Sequence, residues 1–352
     1  MKYSKSNNNA FNNGLNQAVD QYFIESNLKK QANFAFFVKA ILLLAMYFSL
    51  YAGIYLFELS LSQLALLYAL MGPISVMVFF SIVHDASHNA LFKNRKHNNL
   101  ARYIGDLIGL NTYVWNIRHN IQHHTFTNVL GGDIIIEKLP LIRFSPHQPY
   151  RNFHRYQLYY LPLLYMLYSF FIVFVIDIKL FFSKDICNLK NIKHPNSEWA
   201  KMIGFKVLYI FNFIVLPALL TPFSIGQIIG LFFLMHFTSG IFLSTIAALG
   251  HFVEGPTFPE PVNDLIDNDW TKHEIETSTD FSPHSKFTNW ISGGLNTHVA
   301  HHLFPRICHV HYRKITPIIE KHCLEHGYRY HKESFKDAVA SHIRFVKKMS
   351  RP

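Results

Sequence analysis

Apolar residues in this chain gather into long windows, set apart by short polar turns. A helix that crosses a bilayer needs about 20 apolar residues. Windows 37–57 and 61–83 meet that length, and the turn between them carries only Glu58. They predict a helical hairpin. Similar windows cover 158–177, 205–221 and 225–250. Beyond 250 the chain is more polar, with Pro256, Pro259, Pro261 and Pro283 marking loops. Two amphipathic patterns follow, over about 310–324 and 334–349. Residues 1–36 read as a polar, Asn-rich leader and an amphipathic leading helix, without the charged-then-apolar order of a signal peptide. The main body then runs over 37–330 and a basic tail over 331–352.

Eight histidines fall into three tight groups along this frame: His84 and His88; His119, His123 and His124; His298, His301 and His302. On an α-helix, positions i, i+3 and i+4 share a face, so each group can aim its imidazoles at one point. Imidazole suits iron, copper, zinc and nickel, and three groups can enclose more metal than a mononuclear site needs. So large an all-histidine set beside membrane-length segments points to a di-iron, oxygen-activating centre at a membrane surface.

One shared site constrains the topology. If all five windows crossed, the third histidine group would face the opposite side from the first two. Charge selects the exception. Lys179, Lys184, Lys190, Lys193 and Lys201 lie between windows 158–177 and 205–221, whereas the turn 221–224 has no charge. Basic loops stay cytoplasmic. The expectation is an all-α integral membrane protein with four transmembrane helices in two hairpins (37–57 with 61–83, 205–221 with 225–250). Segment 158–177 is then interfacial or dips in and returns, and Pro162 suits that. Both termini and every histidine group face the cytoplasm, as in a bacterial inner-membrane protein.

Composition agrees. Half of the 352 residues are hydrophobic and 16% are charged, with 33 Phe and 18 Tyr; soluble domains carry about a quarter charged residues. The net charge of +11 fits cytoplasmic loops. It also suits attraction to anionic lipid, a phosphorylated acyl carrier or an acidic electron donor; no nucleic-acid partner is expected. Cys187, Cys308 and Cys323 form no metal-type pair, which fits a reducing, cytoplasm-facing location.

Longer stretches around the histidines carry a resemblance. They are His119-Asn-Ile-Gln-His-His-Thr-Phe-Thr-Asn128, Gly250-His-Phe-Val-Glu254, Thr277-Ser-Thr-Asp-Phe281, Asn289-Trp-Ile-Ser-Gly-Gly-Leu-Asn296 and His301-His-Leu-Phe-Pro305. The chain resembles the membrane fatty acid desaturase family, and within it the bacterial linoleoyl-CoA-desaturase-like and front-end group. The resemblance implies two iron ions, O2 as co-substrate, and a further histidine ligand at the position of His251. The substrate would be an acyl chain on CoA, carrier protein or phospholipid. Two departures stand out. The third box opens with His298, as in methyl-end and Δ9-type members, where front-end members usually have Gln. No His-Pro-Gly-Gly heme motif is visible; His194-Pro195 is followed by Asn196-Ser197. Electrons are therefore expected from a separate ferredoxin or cytochrome b5-type protein.

Other residues weigh less. His236 lies mid-span, fifteen residues before His251, or about 22 Å along a helix, and is expected to pack. His309, His311, His322, His326, His331 and His342 are expected in solvent. Asp85, Asp106, Asp133, Glu254 and Asn296 are candidates to orient ligating imidazoles. Trp115, Trp270 and Trp290 are expected as interfacial anchors rather than channel walls. The rival readings are a lipid or carotenoid hydroxylase or acetylenase of the same superfamily, and a membrane metal-binding or transport protein. Transport calls for ionisable groups along the spans, which are nearly free of them.

Overall fold

The computed structural model describes residues 1–4, 9–137 and 140–352. Five helices are long and apolar enough to cross a membrane: α2 (Phe34–Leu56), α3 (Leu61–Ser87), α6 (Asn152–Phe181), α7 (Asn196–Leu220) and α8 (Ile225–Leu249). Others form the layer at one end: α1 (Asn9–Glu25), α4 (Arg95–Leu107), α5 (Thr112–Asn116), α9 (Trp270–Glu276), α10 (His298–Leu303), α11 (Tyr312–Glu325) and α12 (Phe335–Met349). The chain is a mostly helical membrane protein.

The two hairpin turns end in matching caps. Ser60 and Gln63 form a reciprocal capping box at the start of α3, and Ser224 with Gln227 repeats it for α8. Helix α3 is the central one, with 61% of its apolar window buried against 28% for α2 and 22% for α7. It meets α8 where Gly72 lies against the Met235 carbonyl and Thr238. On its other side α8 meets α6, where Gly240 lies against the Tyr165 and Met166 carbonyls. Small residues let membrane helices approach to backbone contact, and a methyl group at either glycine would collide with a carbonyl.

Helix α6 is as long and apolar as any of the five, which the window 158–177 understated. Both of its ends touch the histidine-bearing layer. Near its start, Gln157 Nε2 donates to the Val346 carbonyl at 3.1 Å. At its close, Leu180 and Phe181 pack with Val114 and Ile117, just before His119. A π-helical turn, Ile172–Ile176, interrupts it between.

In the end layer, Phe11, Leu15, Val19 and Phe23 recur every fourth residue along α1 and pack on Ile315 and Ile319 of α11. That stripe makes the Asn-rich leader helical from Asn9 onward. The basic stretch after 331 is also drawn in. Lys332 and Glu333 pair in parallel with Asp280 and Phe281. Phe345, Val346 and Met349 of α12 join Phe144, Ala248 and Phe252 in one core.

Candidate metal centre and acyl cavity

The three boxes and His251 converge where the end of α3, the end of α8, α5 and α10 meet. They form two adjoining sets. His84, His88, His119 and His301 make one; His123, His251, His298 and His302 make the other; His124 stands with His301 and His302 between them. All nine lie in or beside these sets, and eight are buried, His119 being half-buried.

The boxes do not each aim at a single point, as α-helical spacing predicts. Residues Ile117–His123 form a π-helical turn in which the His124 N–H donates to the His119 carbonyl, five residues back, at 3.0 Å. That turn aligns i with i+5. His119 Nε2 therefore lies 3.1 Å from His124 Nε2 and 3.0 Å from His84 Nε2. His123 turns away, with Nε2 at 3.1 Å from His251 Nε2. Box three divides likewise: His298 Nε2 lies 2.7 Å from His251 Nε2, while the His301 ring sits 4.4 Å from that of His84. A second π-helical turn, Phe79–Val83, directly precedes His84.

In the second set every Nδ1 has an oxygen acceptor. His123 Nδ1 donates to Asp133 at 2.9 Å, His251 to the Thr277 carbonyl at 3.0 Å, His298 to the Leu295 carbonyl at 3.0 Å and His302 to Glu274 at 2.6 Å. Each imidazole is thus fixed in the tautomer that turns its Nε2 lone pair inward. The first set is held less tightly. His84 Nδ1, His88 Nε2 and both ring nitrogens of His301 are buried with no hydrogen-bond partner, as is Nδ1 of the intervening His124.

Burial, and then the crowding of neighbouring imidazoles, holds His88, His119, His124, His298, His301 and His302 well below the ordinary histidine range. The same causes push His251 down to about 3. Imidazoles that crowd their ring nitrogens together suit a cation of the iron, copper or zinc type. Nine imidazoles exceed one four-coordinate site, so the donor set fits two ions. Burial opposes the charge on Asp133, yet His123 and the Ile135 and Asn128 N–H groups hold it below the usual carboxylate range. Burial, reinforced by Asp133, pushes Glu274 up.

Of the five polar residues expected to orient ligands, Asp133 does so directly. Asp85 Oδ1 lies 3.7 Å from His84 Nδ1, and its Oδ2 accepts from His309 Nδ1 at 2.8 Å. Asp106 accepts from Thr112, Glu254 from Arg344 at the surface, and Asn296 bonds Ser282 and Asn289. Glu274 also orients a ligand, and neither a box nor a turn flags it in sequence. His309, His311 and His342 are buried, not solvated; His309 links Asp85 to Lys39, whose Nζ lies 3.0 Å away. His326 is exposed, and His322 and His331 are half-buried. His236 packs mid-span, bonded to Ser169 and Tyr209. Trp115 is 9% exposed and stacks on His119 at 4.4 Å, and Trp270 donates to the His124 carbonyl at 3.0 Å.

An apolar cavity of about 200 Å³ reaches the histidines. His84, His119, His123, His251 and His298 line one part; Phe79, Ile172, Val173 and Leu243 line another. A narrow apolar chamber that ends on a buried imidazole cluster suits a hydrocarbon chain.

The profile of the fatty acid desaturase family matches residues 60–334. An sn-1 linoleoyl-lipid 6-desaturase of Synechocystis sp. is 34% identical over 346 residues, covering 97% of this chain and 96% of that protein. One of the same name from Arthrospira platensis is 32% identical, covering 97% and 92%. An acyl-lipid (8-3)-desaturase of Physcomitrium patens is 31% identical, covering 99% of this chain and 73% of that protein.

Proposed function

The chain belongs to the fatty acid desaturase family, and from that premise we propose that it places a double bond in a lipid-linked acyl chain, on the carboxyl side of existing unsaturation. It is an oxidoreductase acting on fatty acyl lipids. The observation that carries the finer reading is the pair of adjoining, buried imidazole sets at the end of an apolar cavity. The ligands would be His84, His88, His119, His123, His124, His251, His298, His301 and His302. Two irons held there would supply the redox chemistry by which O2, two electrons and two protons take one hydrogen from each of two adjacent methylenes and leave as water.

The protein's own part is positioning. Phe79, Ile172, Val173 and Leu243 exclude water and confine the chain. Asp133, Glu274 and the Thr277 and Leu295 carbonyls hold the imidazoles in register before substrate arrives. A fixed chain presents one C–C bond to the centre, and that alignment is where much of a barrier is overcome. Lipid-linked acyl groups are favoured over CoA or carrier-protein thioesters because the relatives are named for lipid substrates.

The membrane arrangement is four crossings in two hairpins, α2 with α3 and α7 with α8, and the histidines face the cytoplasm. Helix α6 dips in and returns; its contacts at both ends with the histidine layer support that. A separate electron donor docks on the basic cytoplasmic face, where Lys193 and Lys314 are exposed.

The test is expression in a host whose lipids contain linoleoyl chains without further desaturation toward the carboxyl end, followed by fatty-acid analysis with double-bond location. A new double bond between the carboxyl group and the existing ones is expected. A hydroxylated product, or an unchanged profile with iron-loaded protein, overturns the reading.

A further inference from the structure

Arg118 precedes His119 and is 8% exposed, with Nε and Nη1 buried and lacking any hydrogen-bond partner. An arginine stays charged at any physiological pH. Leaving its donors unmet in a protein interior costs about 1–3 kcal/mol or more, so such a group marks a place built for an acceptor. The nearby carboxylate is Asp177, whose Oδ2 is taken by the Asn111 N–H at 2.7 Å and Lys206 Nζ at 3.0 Å, while its Oδ1 is buried without a hydrogen-bond partner. Arg118 and Asp177 share no hydrogen bond.

Arg118 also stands at a junction. It lines the cavity that reaches the histidines and a second cavity of about 230 Å³. The two share Ile135, Ile142, Leu164 and Tyr168, so they are neighbouring parts of one route. The second opens outward past Leu141, 52% exposed, and Val175, 41% exposed, with exposed Lys179 beside them. A chain entering from the apolar flank would pass Lys179, then Arg118, then the imidazoles. Its hydrocarbon satisfies the walls of both cavities. Of the chain's two ends, the oxygen-bearing one carries the acceptors that suit the guanidinium.

We propose that Arg118 is a specificity-determining residue that grips the ester or thioester end of the acyl substrate at the neck between the two cavities, so that the reacting bond is counted from the carboxyl end. This rests on the desaturase reading. Arg118 neighbours His119 in sequence and lines the same cavity wall, so an ester held there sets how many methylenes separate it from the centre. A planar fork of donors matches a carbonyl flanked by phosphate oxygens, with Lys179 free to take the outer charge.

Full-length protein in detergent is titrated with dibrominated stearoyl phosphatidylglycerol and, separately, dibrominated stearoyl-CoA. Quenching of Trp115, which lines the cavity, is read against W115F. R118Q is expected to raise Kd about tenfold, a loss of about 1.4 kcal/mol, for whichever carrier is the natural one. R118K should recover part of it, because it keeps the charge without the fork. Iron per chain should match wild type in R118K, which decides the matter if R118Q does not fold. In turnover, R118Q should spread the product over neighbouring double-bond positions. Unchanged Kd for both probes in both variants, with a single unshifted double bond, overturns the proposal. If wild type forms no double bond while R118Q still binds the probes tenfold more weakly, the desaturase reading falls and the arginine site stands.

Discussion

Glu274 Oε2 lies 2.6 Å from His302 Nδ1, and the Thr127 hydroxyl lies 2.9 Å from the same oxygen. A residue from α9 thereby fixes the tautomer of an imidazole on α10. Removing such a partner typically lowers metal affinity about 10- to 100-fold. E274A should therefore lose iron over that range on dialysis against a buffered chelator, while E274Q, which keeps an oxygen in place, loses less. Iron per chain, measured beside thermal unfolding, checks this. Equal retention in E274A and wild type would show that the contact does not orient the ligand.

The two histidine sets should also differ in how firmly they hold metal. His123, His251, His298 and His302 each have Nδ1 bonded to an oxygen, whereas His84, His88, His124 and His301 carry orphan ring nitrogens. Free rings must be ordered when an ion binds, and that ordering weakens affinity. A chelator should strip one iron per chain well before the other, with a plateau near half-loading. Loss of both irons in a single phase would contradict the asymmetry.

How far sequence reached is clear from particular residues. The boxes were legible because histidine at short spacing is rare and chemically specific, and His251 because a resemblance marked it. Helices α2, α3 and α8 lie close to their apolar windows, whereas α7 begins at Asn196, well before its window at 205. The windows could not reveal that α6 extends to Asn152–Phe181 and touches the end layer twice, because hydropathy reports length and not tilt or return. Glu274 and His309 were illegible for another reason. Each gains its role from a partner 28 or 224 residues away, and nothing local distinguishes a buried carboxylate or imidazole from a solvated one.

His236 provides a control within the membrane. Its Nδ1 lies 3.0 Å from the Ser169 hydroxyl and its Nε2 lies 3.2 Å from the Tyr209 hydroxyl, which ties α8 to α6 and α7. Interhelical hydrogen bonds in membranes are worth about 0.6–1.7 kcal/mol each. H236L should therefore lower unfolding stability by about 1–2 kcal/mol and leave iron per chain unchanged. A loss of iron with intact stability would place His236 in the metal centre instead.

The π-helical turn over Ile117–His123 makes the sharpest test of how the second box works. In that turn His119 and His124 stand five residues apart with their Nε2 atoms 3.1 Å from each other, while His123 points into the second set. Deleting one residue restores α-helical i→i+4 bonding. Ile121 is the residue to delete, because its side chain is 43% exposed and contributes little packing. In the deletion the two flanking histidines become i and i+4, and the remaining one rotates off its set. Iron loading should collapse to less than one per chain, and activity should be lost. I121A keeps the chain length and should bind iron and turn over like wild type. If the deletion still loads two irons, the π turn is incidental and ordinary helical spacing is enough to build the site.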